Sequence, residues 1–360
     1  MTSTDLTSLG WDEYFSDRFD ELQNGALRPA RITRVDRGAC DLLGSDGPLR
    51  AALASDLAKV VAHDPERAPC VGDWAAAQAS DGPGRHTVLR HLLERRTAFR
   101  RTGVTPGTSR AQVLAANIDQ AVIVEPLRPE PDLGRVERLL ALAWESGALP
   151  IIALTKSDLV SDATEVCVAV AAAAPGVGVH AVSSLDTASL EPVRALLTEG
   201  RTLALLGPSG AGKSTLTNAL AGRELMATRE LRADAKGRHT TPHRELFVMP
   251  GGGLIIDTPG LRSVGLTAHV DGLSRVFDDI EELAALCRFH DCGHQHEPGC
   301  AVVAAMESGD LDERRLASWR KLQREVQWMA RRQDARLRSE ERDRWKRIHV
   351  EVRRSGRIRR

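Results

Sequence analysis

The chain contains no apolar run of the ~18 residues that a membrane-spanning helix needs, so no transmembrane segment and no membrane partner are expected. Residues 1–30 are acidic and lack the apolar stretch of a secretory signal. Cysteine is scarce: six in 360 residues do not suggest a disulfide scaffold. Three of those six fall between 287 and 300, which points to a metal in a reducing cytoplasm. Lysine supplies only six of the 49 basic residues, and no function follows from that bias. Aromatics are few, and the stretch 27–100 offers little for base stacking. Net charge is absent too, because 49 acidic residues balance the 49 basic ones.

The balance hides an uneven distribution. Residues 1–25 carry Asp5, Asp12, Glu13, Asp17, Asp20 and Glu21 against Arg18. Residues 331–360 carry thirteen basic residues against five acidic ones, a net +8. A basic arm of this kind suits an anionic partner. The length predicts roughly two or three domains, each with its own core.

The strongest local pattern is Gly207-Pro208-Ser209-Gly210-Ala211-Gly212-Lys213-Ser214. It fits Gly-x-x-x-x-Gly-Lys-Ser/Thr, a loop whose backbone N–H groups converge on phosphate oxygens. An apolar run, Leu203 to Leu206, reads as a buried strand before it. A helix is expected from Ser214 to Ala221, stopped at Gly222, with its positive dipole end toward the phosphates. Lys213 is expected on the β- and γ-phosphates, Ser214 on Mg²⁺, and Thr215 in the same nucleotide-binding set.

Upstream, 120–125 reads as a buried strand, 135–146 as a helix with Val136, Leu139, Leu140 and Ala143 on one face, and 150–154 as a second strand. Alternating strand and helix predicts a parallel α/β sheet with ligands at the strand C-termini. There stands Thr155-Lys156-Ser157-Asp158. It resembles the guanine motif of GTPases. A carboxylate at Asp158 can accept from the N1–H and N2 amine of guanine, which adenine does not offer in that geometry. The Lys156 stem can lie along the base. Ser183 and Ser184, at the end of a further strand, resemble the last GTPase motif.

Downstream, Gly237-Arg238-His239-Thr240-Thr241 fits a switch that senses the γ-phosphate and Mg²⁺, with Thr241 preferred over Thr240 as the metal ligand. Leu254 to Asp257 reads as a strand running into Asp257-Thr258-Pro259-Gly260. Asp257 is expected to hold Mg²⁺ through water, and the Gly260 N–H to face the γ-phosphate. The residue after Gly260 is Leu261, which cannot orient a water. Hydrolysis is therefore expected to be slow, with His239 the candidate for positioning the water and Lys213 and Thr241 the other catalytic candidates. Because the guanine motif precedes the phosphate loop, the chain reads as a circular permutation of the GTPase fold.

The last pattern is Cys287-x4-Cys292-x-His294-x5-Cys300, which suits one structural Zn²⁺. His290 and His296 compete for the histidine position. A helix over 276–286 is expected to lead in. Charged helices are expected over 314–329, with Leu316, Trp319, Leu322, Val326 and Met329 as an apolar stripe, and over 331–348.

Four regions follow. An acidic lead (1–26), with some helix but read as a frayed terminus, precedes a small β-barrel of oligonucleotide-binding type (27–101). A permuted α/β GTPase domain (102–265) leads to a helical zinc domain with a basic arm (266–360).

Together the phosphate loop, Gly237 to Thr241, Asp257 to Gly260, the cysteine–histidine pattern and Ala116-Asn117-Ile118-Asp119-Gln120 resemble the RsgA (YjeQ) family of bacterial GTPases. The resemblance implies GTP and GDP as ligands, the 30S ribosomal subunit and 16S rRNA as partners, and a cytoplasmic protein expected to be a monomer. It implies subunit-stimulated hydrolysis during late subunit maturation. The chain departs from the family pattern in its acidic lead, its divergent barrel and Thr240-Thr241-Pro242 in place of three threonines. A phosphate-loop ATPase and an RNA-binding zinc scaffold are the alternatives; Asp158 argues against the first, and Lys213, Ser214 and Asp257 against the second.

Overall fold

The computed structural model describes residues 4–22, 25–79, 86–102, 111–226, 244–257 and 271–331. The first sheet strands are β1 (Leu27–Asp36), β2 (Ala39–Gly44), β3 (Gly47–Leu53), β4 (Trp74–Ala79) and β5 (Thr87–Leu92). β1 pairs antiparallel with both β2 and β4, β3 pairs with β5, and β5 returns to β4, so the five strands close a barrel. Small residues and a few aliphatics fill it: Ala30, Ile32, Cys40, Leu42, Ala51, Ala75, Ala77 and Leu89. Ala30 and Ile32 face this core, and Arg31 between them is buried as well, which breaks strict alternation along β1. Arg31 points outward from the barrel and donates to Leu9 O, Asn117 O and Thr202 Oγ1 at 2.8, 2.9 and 3.2 Å. A helix between β3 and β4, α2 (Ser55–His63), was not expected from the sequence. None of its residues is fully buried, and Leu57 packs against the barrel core.

The lead contradicts the expectation of a frayed terminus. Helix α1 (Glu13–Asp20) is capped by Asp12, whose Oδ1 accepts from Phe15 N. Leu9 and Phe15 are buried, and Trp11 meets Trp74 of the barrel edge-on with ring centroids 4.7 Å apart. The apolar surface of a few well-placed side chains outweighs the acidic composition of the segment.

A two-stranded ribbon, β6 (Ala98–Thr102) and β7 (Ala111–Ala116), leads into the α/β layer. Asn117 makes the junction in a left-handed conformation, φ 55°: its Oδ1 accepts from Arg96 N and its Nδ2 donates to Gly72 O. Gly72 has to be glycine, since a Cβ there would lie 2.1 Å from Ala116 O.

The α/β strands are β8 (Gln120–Pro126), β9 (Leu149–Thr155), β10 (Val179–Val182), β11 (Thr202–Leu206), β12 (Glu245–Val248) and β13 (Leu254–Asp257). Their order is β10-β9-β8-β11-β13-β12, parallel except for β12, and one bridge, Arg34 to Glu245, joins β12 to the barrel. From β8 the chain winds outward through β9 and β10, then returns to place β11 on the other side of β8. That reversal opens a crevice at the C-terminal ends of β8 and β11, the place where open α/β sheets bind ligands. The connecting helices are α3 (Leu133–Ser146), α4 (Thr164–Ala173), α5 (Glu191–Arg194) and α6 (Lys213–Ala221).

Beyond residue 270 come α7 (Asp271–Val276), α8 (Asp278–Ala285), α9 (Ala301–Ser308) and α10 over 313–331. The helix expected over 276–286 is α8, separated from α7 by a break at Phe277. The stripe Leu316, Trp319, Leu322, Val326 and Met329 is buried as expected. α10 is locked to α3 by ions as well as by apolar contact. Glu137, fully buried, accepts from Arg314 at 3.0 and 3.1 Å and from Arg315 at 3.3 Å. Arg315 also binds Asp279 at 2.6 and 2.7 Å and the carbonyls of Ala173 and Val276. The helix expected over 331–348 lies outside the described residues. Among the described residues, no helix is long and apolar enough to cross a membrane.

Candidate nucleotide site and metal centre

β11 ends at Leu206 and the chain turns at once through Gly207 to Gly212 into α6. Gly207 has φ 146°, and a Cβ there would lie 2.1 Å from Val124 O of β8, so only glycine lets the loop pass. Gly210 and Gly212 also take positive φ, and α6 ends at Gly222 in a left-handed cap. Lys213, Ser214 and Thr215 therefore stand on the first turn of a helix, where N–H groups and dipole favour anions. Lys213 Nζ donates to Gly207 O and Pro208 O at 2.8 and 2.7 Å, which folds the ammonium over the loop.

The second segment arrives from β9. Thr155 is buried, and its Oγ1 donates to Ala211 O at 2.6 Å, which ties the end of β9 to the phosphate loop. Lys156 takes a left-handed turn, φ 62°, and Ser157 and Asp158 begin a single 3₁₀ turn. The third segment follows β10. Ser183 Oγ donates to Asp158 Oδ1 at 2.5 Å, and Ser189 Oγ accepts from Ser183 N at 2.9 Å. Thr155, Lys156, Asp158, Val182, Ser184, Leu185, Gly212, Thr215 and Leu216 surround one cavity of about 210 Å³. Asp257 ends β13 opposite Leu205 of β11, on the same edge of the sheet. Ser189 and the hydroxyl of Thr155 had no signal in the sequence, since each acts through a hydrogen bond to a distant backbone or loop. His239, Thr240, Thr241 and Gly260 lie outside the described residues.

The metal centre sits between α8 and α9. The donor atoms of Cys287, Cys292, His294 and Cys300 all lie within 4.8 Å of one another, so these four can hold a metal ion. His294 Nδ1 is 3.5 Å from both Cys287 Sγ and Cys300 Sγ, and those two sulfurs are 3.8 Å apart. A tetrahedral ion bound by sulfur at about 2.3 Å and nitrogen at about 2.0 Å has edges of about 3.8 Å and about 3.5 Å, so the residues fit. Of the competing histidines, His290 and His296 are exposed and stand outside the cluster.

The centre is braced on every side. His294 has φ 55°, its carbonyl accepts from the Arg320 guanidinium, and its ring stands edge-on to Trp319. Cys300 caps α9, its Sγ accepting from Val303 N. Glu297 gathers the loop: its carboxylate accepts from the N–H groups of Gln295, Gly293 and His296 at 2.8, 2.9 and 3.0 Å. Those donors, Gln295 foremost, hold its carboxyl down to about 2.

Residues 92–267 match the family described as RsgA GTPase. The chain is 50% identical over 358 residues to the small ribosomal subunit biogenesis GTPase RsgA of Streptomyces coelicolor, covering 96% of this chain and 95% of that protein. The chain belongs to the RsgA GTPase family. A relative of the same name in Opitutus terrae is 43% identical, with 98% of each chain covered. In fold, the chain is similar to the crystal structure of YjeQ from Thermotoga maritima, with TM-score 0.61, 22% identity, and 83% of this chain and 98% of that one covered. It is also similar to YloQ, described as a circularly permuted GTPase, with TM-score 0.57, 24% identity, and 86% and 96% covered. The order seen here, with Thr155 to Asp158 after β9 ahead of the glycine-rich loop after β11, is that of a circularly permuted GTPase fold.

Proposed function

We propose that this GTPase binds GTP with Mg²⁺, hydrolyses it to GDP and phosphate, and works on the small ribosomal subunit late in its maturation. The observation that carries the reading is the cavity where three strand ends meet. The residues matching the guanine motif and the phosphate loop line one space, and Thr155 joins them by a 2.6 Å hydrogen bond. Asp158 reads the N1–H and N2 amine of the base, with Ser183 fixing the carboxylate through Oδ1. Ser184 offers its N–H to the guanine O6. The loop from Gly207 to Thr215 cradles the phosphates, and Lys213 releases the loop carbonyls to meet them. Ser214, Thr241 and Asp257 would hold Mg²⁺, which neutralises charge developing on the transferred phosphoryl group. Gly260 donates to the γ-phosphate, and His239 orients the water that Leu261 cannot.

Cys287, Cys292, His294 and Cys300 bind one structural Zn²⁺; three thiolates and one imidazole in a closed tetrahedron suit that ion. The regions 1–26, 27–101, 102–265 and 266–360 act as lead, barrel, GTPase domain and zinc domain of a monomeric cytoplasmic protein. Subunit recognition through 16S rRNA falls to the zinc end. A groove beside the metal centre is lined by Gln295, Arg320, Gln323, Arg324 and Gln327 and by no carboxylate, and the basic arm follows α10 in sequence. The relatives' name, small ribosomal subunit biogenesis GTPase, supports the choice of the small subunit as partner.

Co-sedimentation with small subunits across a salt series tests this assignment. Deleting residues 331–360 is expected to weaken association and flatten its salt dependence, because fewer counterions are released. Nucleotide affinity should stay unchanged. Equal association of the two forms at every salt concentration would remove the arm from recognition.

A further inference from the structure

Two residues beside the phosphate loop break local rules. Glu125, near the end of β8, is a fully buried carboxylate. Arg135 puts a cation on the first turn of α3, where the helix dipole disfavours it. Each is explained by the other. Arg135 Nε and Nη2 donate to the two oxygens of Glu125 at 2.6 and 2.8 Å, a bidentate pair. Asp132, the cap of α3, takes a third contact from Arg135 at 3.4 Å.

A buried ion pair seldom adds more stability than two apolar side chains of similar size. The position of this one says more. The backbone that carries Glu125 is the floor of the phosphate loop. Leu206, the last residue of β11, pairs with Ile123, two residues before Glu125. A Cβ on Gly207 would lie 2.1 Å from Val124 O. Glu125 O accepts from Thr155 Oγ1 at 3.3 Å, and the same hydroxyl holds Ala211 O of the loop at 2.6 Å. A negative charge is thus buried away from water, next to the strand end where phosphates are read to bind. Arg135 cancels it.

We propose that Arg135 is a positioning residue for the nucleotide phosphates: it holds the end of β8 under the loop and neutralises Glu125 there. The inference rests on the guanine-nucleotide reading of the site. Because charge is at stake, the two halves of the pair act in opposite directions. Without Arg135, a buried carboxylate repels the phosphates. Without the Glu125 charge, Arg135 attracts them. The effect grows with phosphate charge, so GTP feels it more than GDP.

The test is displacement of a fluorescent GDP from the full chain by unlabelled GDP and GTP. Arg135→Ala is expected to weaken GDP about tenfold and GTP about thirtyfold. Glu125→Gln keeps the shape, removes the charge, and is expected to bind GTP at least as tightly as wild type. The double variant Glu125→Gln with Arg135→Ala should return to within about threefold of wild type. Thermal unfolding without nucleotide reports the cost to the fold, which both single variants share. Single variants that lose affinity together, in step with stability, would make the pair a brace and overturn the inference. Arg135→Ala within about twofold of wild type for both nucleotides would overturn it too. Glu125→Gln that weakens GTP more than about threefold overturns it even if Arg135→Ala does not fold. Wild type that binds no guanine nucleotide overturns the site reading, and this inference with it.

Discussion

The metal centre draws all four donors from residues 287–300, while the candidate nucleotide cavity collects Thr155, Ser184 and Gly212 from the segments that follow three strands. Around the centre the cover is thin: Leu286 is 74% exposed and Phe289 41%. Beneath the cavity, Val124, Leu205 and Leu206 are buried in the sheet. Donors that are neighbours in sequence, under thin apolar cover, depend on an ion for much of what holds them together. A site made of distant segments is put together by the core under it, before any ligand arrives. Ligand removal should therefore have opposite consequences in the two places.

Metal stripping gives the largest expected effect, since structural Zn²⁺ contributes on the order of 10 kcal/mol to folding of small sites. Chelation should abolish hydrogen-exchange protection across 287–300 and make Cys287, Cys292 and Cys300 reactive to thiol reagents. Cys40 and Cys70 should stay silent, because burial pushes the Cys40 thiol up to about 12 and the Cys70 thiol well above its usual range. GDP affinity should hold within about threefold, as expected for a site preformed by its own core. Loss of GDP binding on chelation would break the contrast.

Next in size is the ion lock between α3 and α10. Glu137→Leu takes one of its two carboxylate partners from buried Arg315 and the buried carboxylate from Arg314, and should cost about 3 kcal/mol in denaturant unfolding. A change under about 1 kcal/mol would mean that apolar packing alone joins the two helices. The smallest effect on the fold, and the sharpest on chemistry, is Asp158→Asn. It should leave the melting temperature unchanged, weaken GTP by about 100-fold and raise the affinity for xanthosine triphosphate. Unaltered base preference would remove Asp158 from base recognition.

Both sites were legible in the sequence because each needs unusual residue types at fixed spacing. Gly207 must clear Val124 O, Lys213 must follow Gly212 onto a helix, and three sulfurs must meet one imidazole. The barrel was legible from short strands and turns, and the permutation from motif order alone. The docking of the lead was not. Nothing near Leu9, Trp11 or Phe15 names Trp74 as their partner, and the acidic composition of the segment masks its apolar contacts. Glu137 was hidden for the same reason. On a helical wheel it is one more charge, and only Arg314 and Arg315, far away in the chain, make it a buried lock. The histidine choice lay between. Composition allowed His290, His294 or His296, and the left-handed turn at His294 with its Arg320 and Trp319 braces settles the geometry.

The most direct test of the account is the rate of GTP hydrolysis at saturating GTP and Mg²⁺ as small ribosomal subunits are titrated in. The account predicts slow turnover by the chain alone and a saturable rise of at least about tenfold with subunits. ATP should not be turned over, and His239→Ala should lose most of the rise while binding GTP normally. A rate that ignores the subunit, or that is the same with ATP, would contradict it.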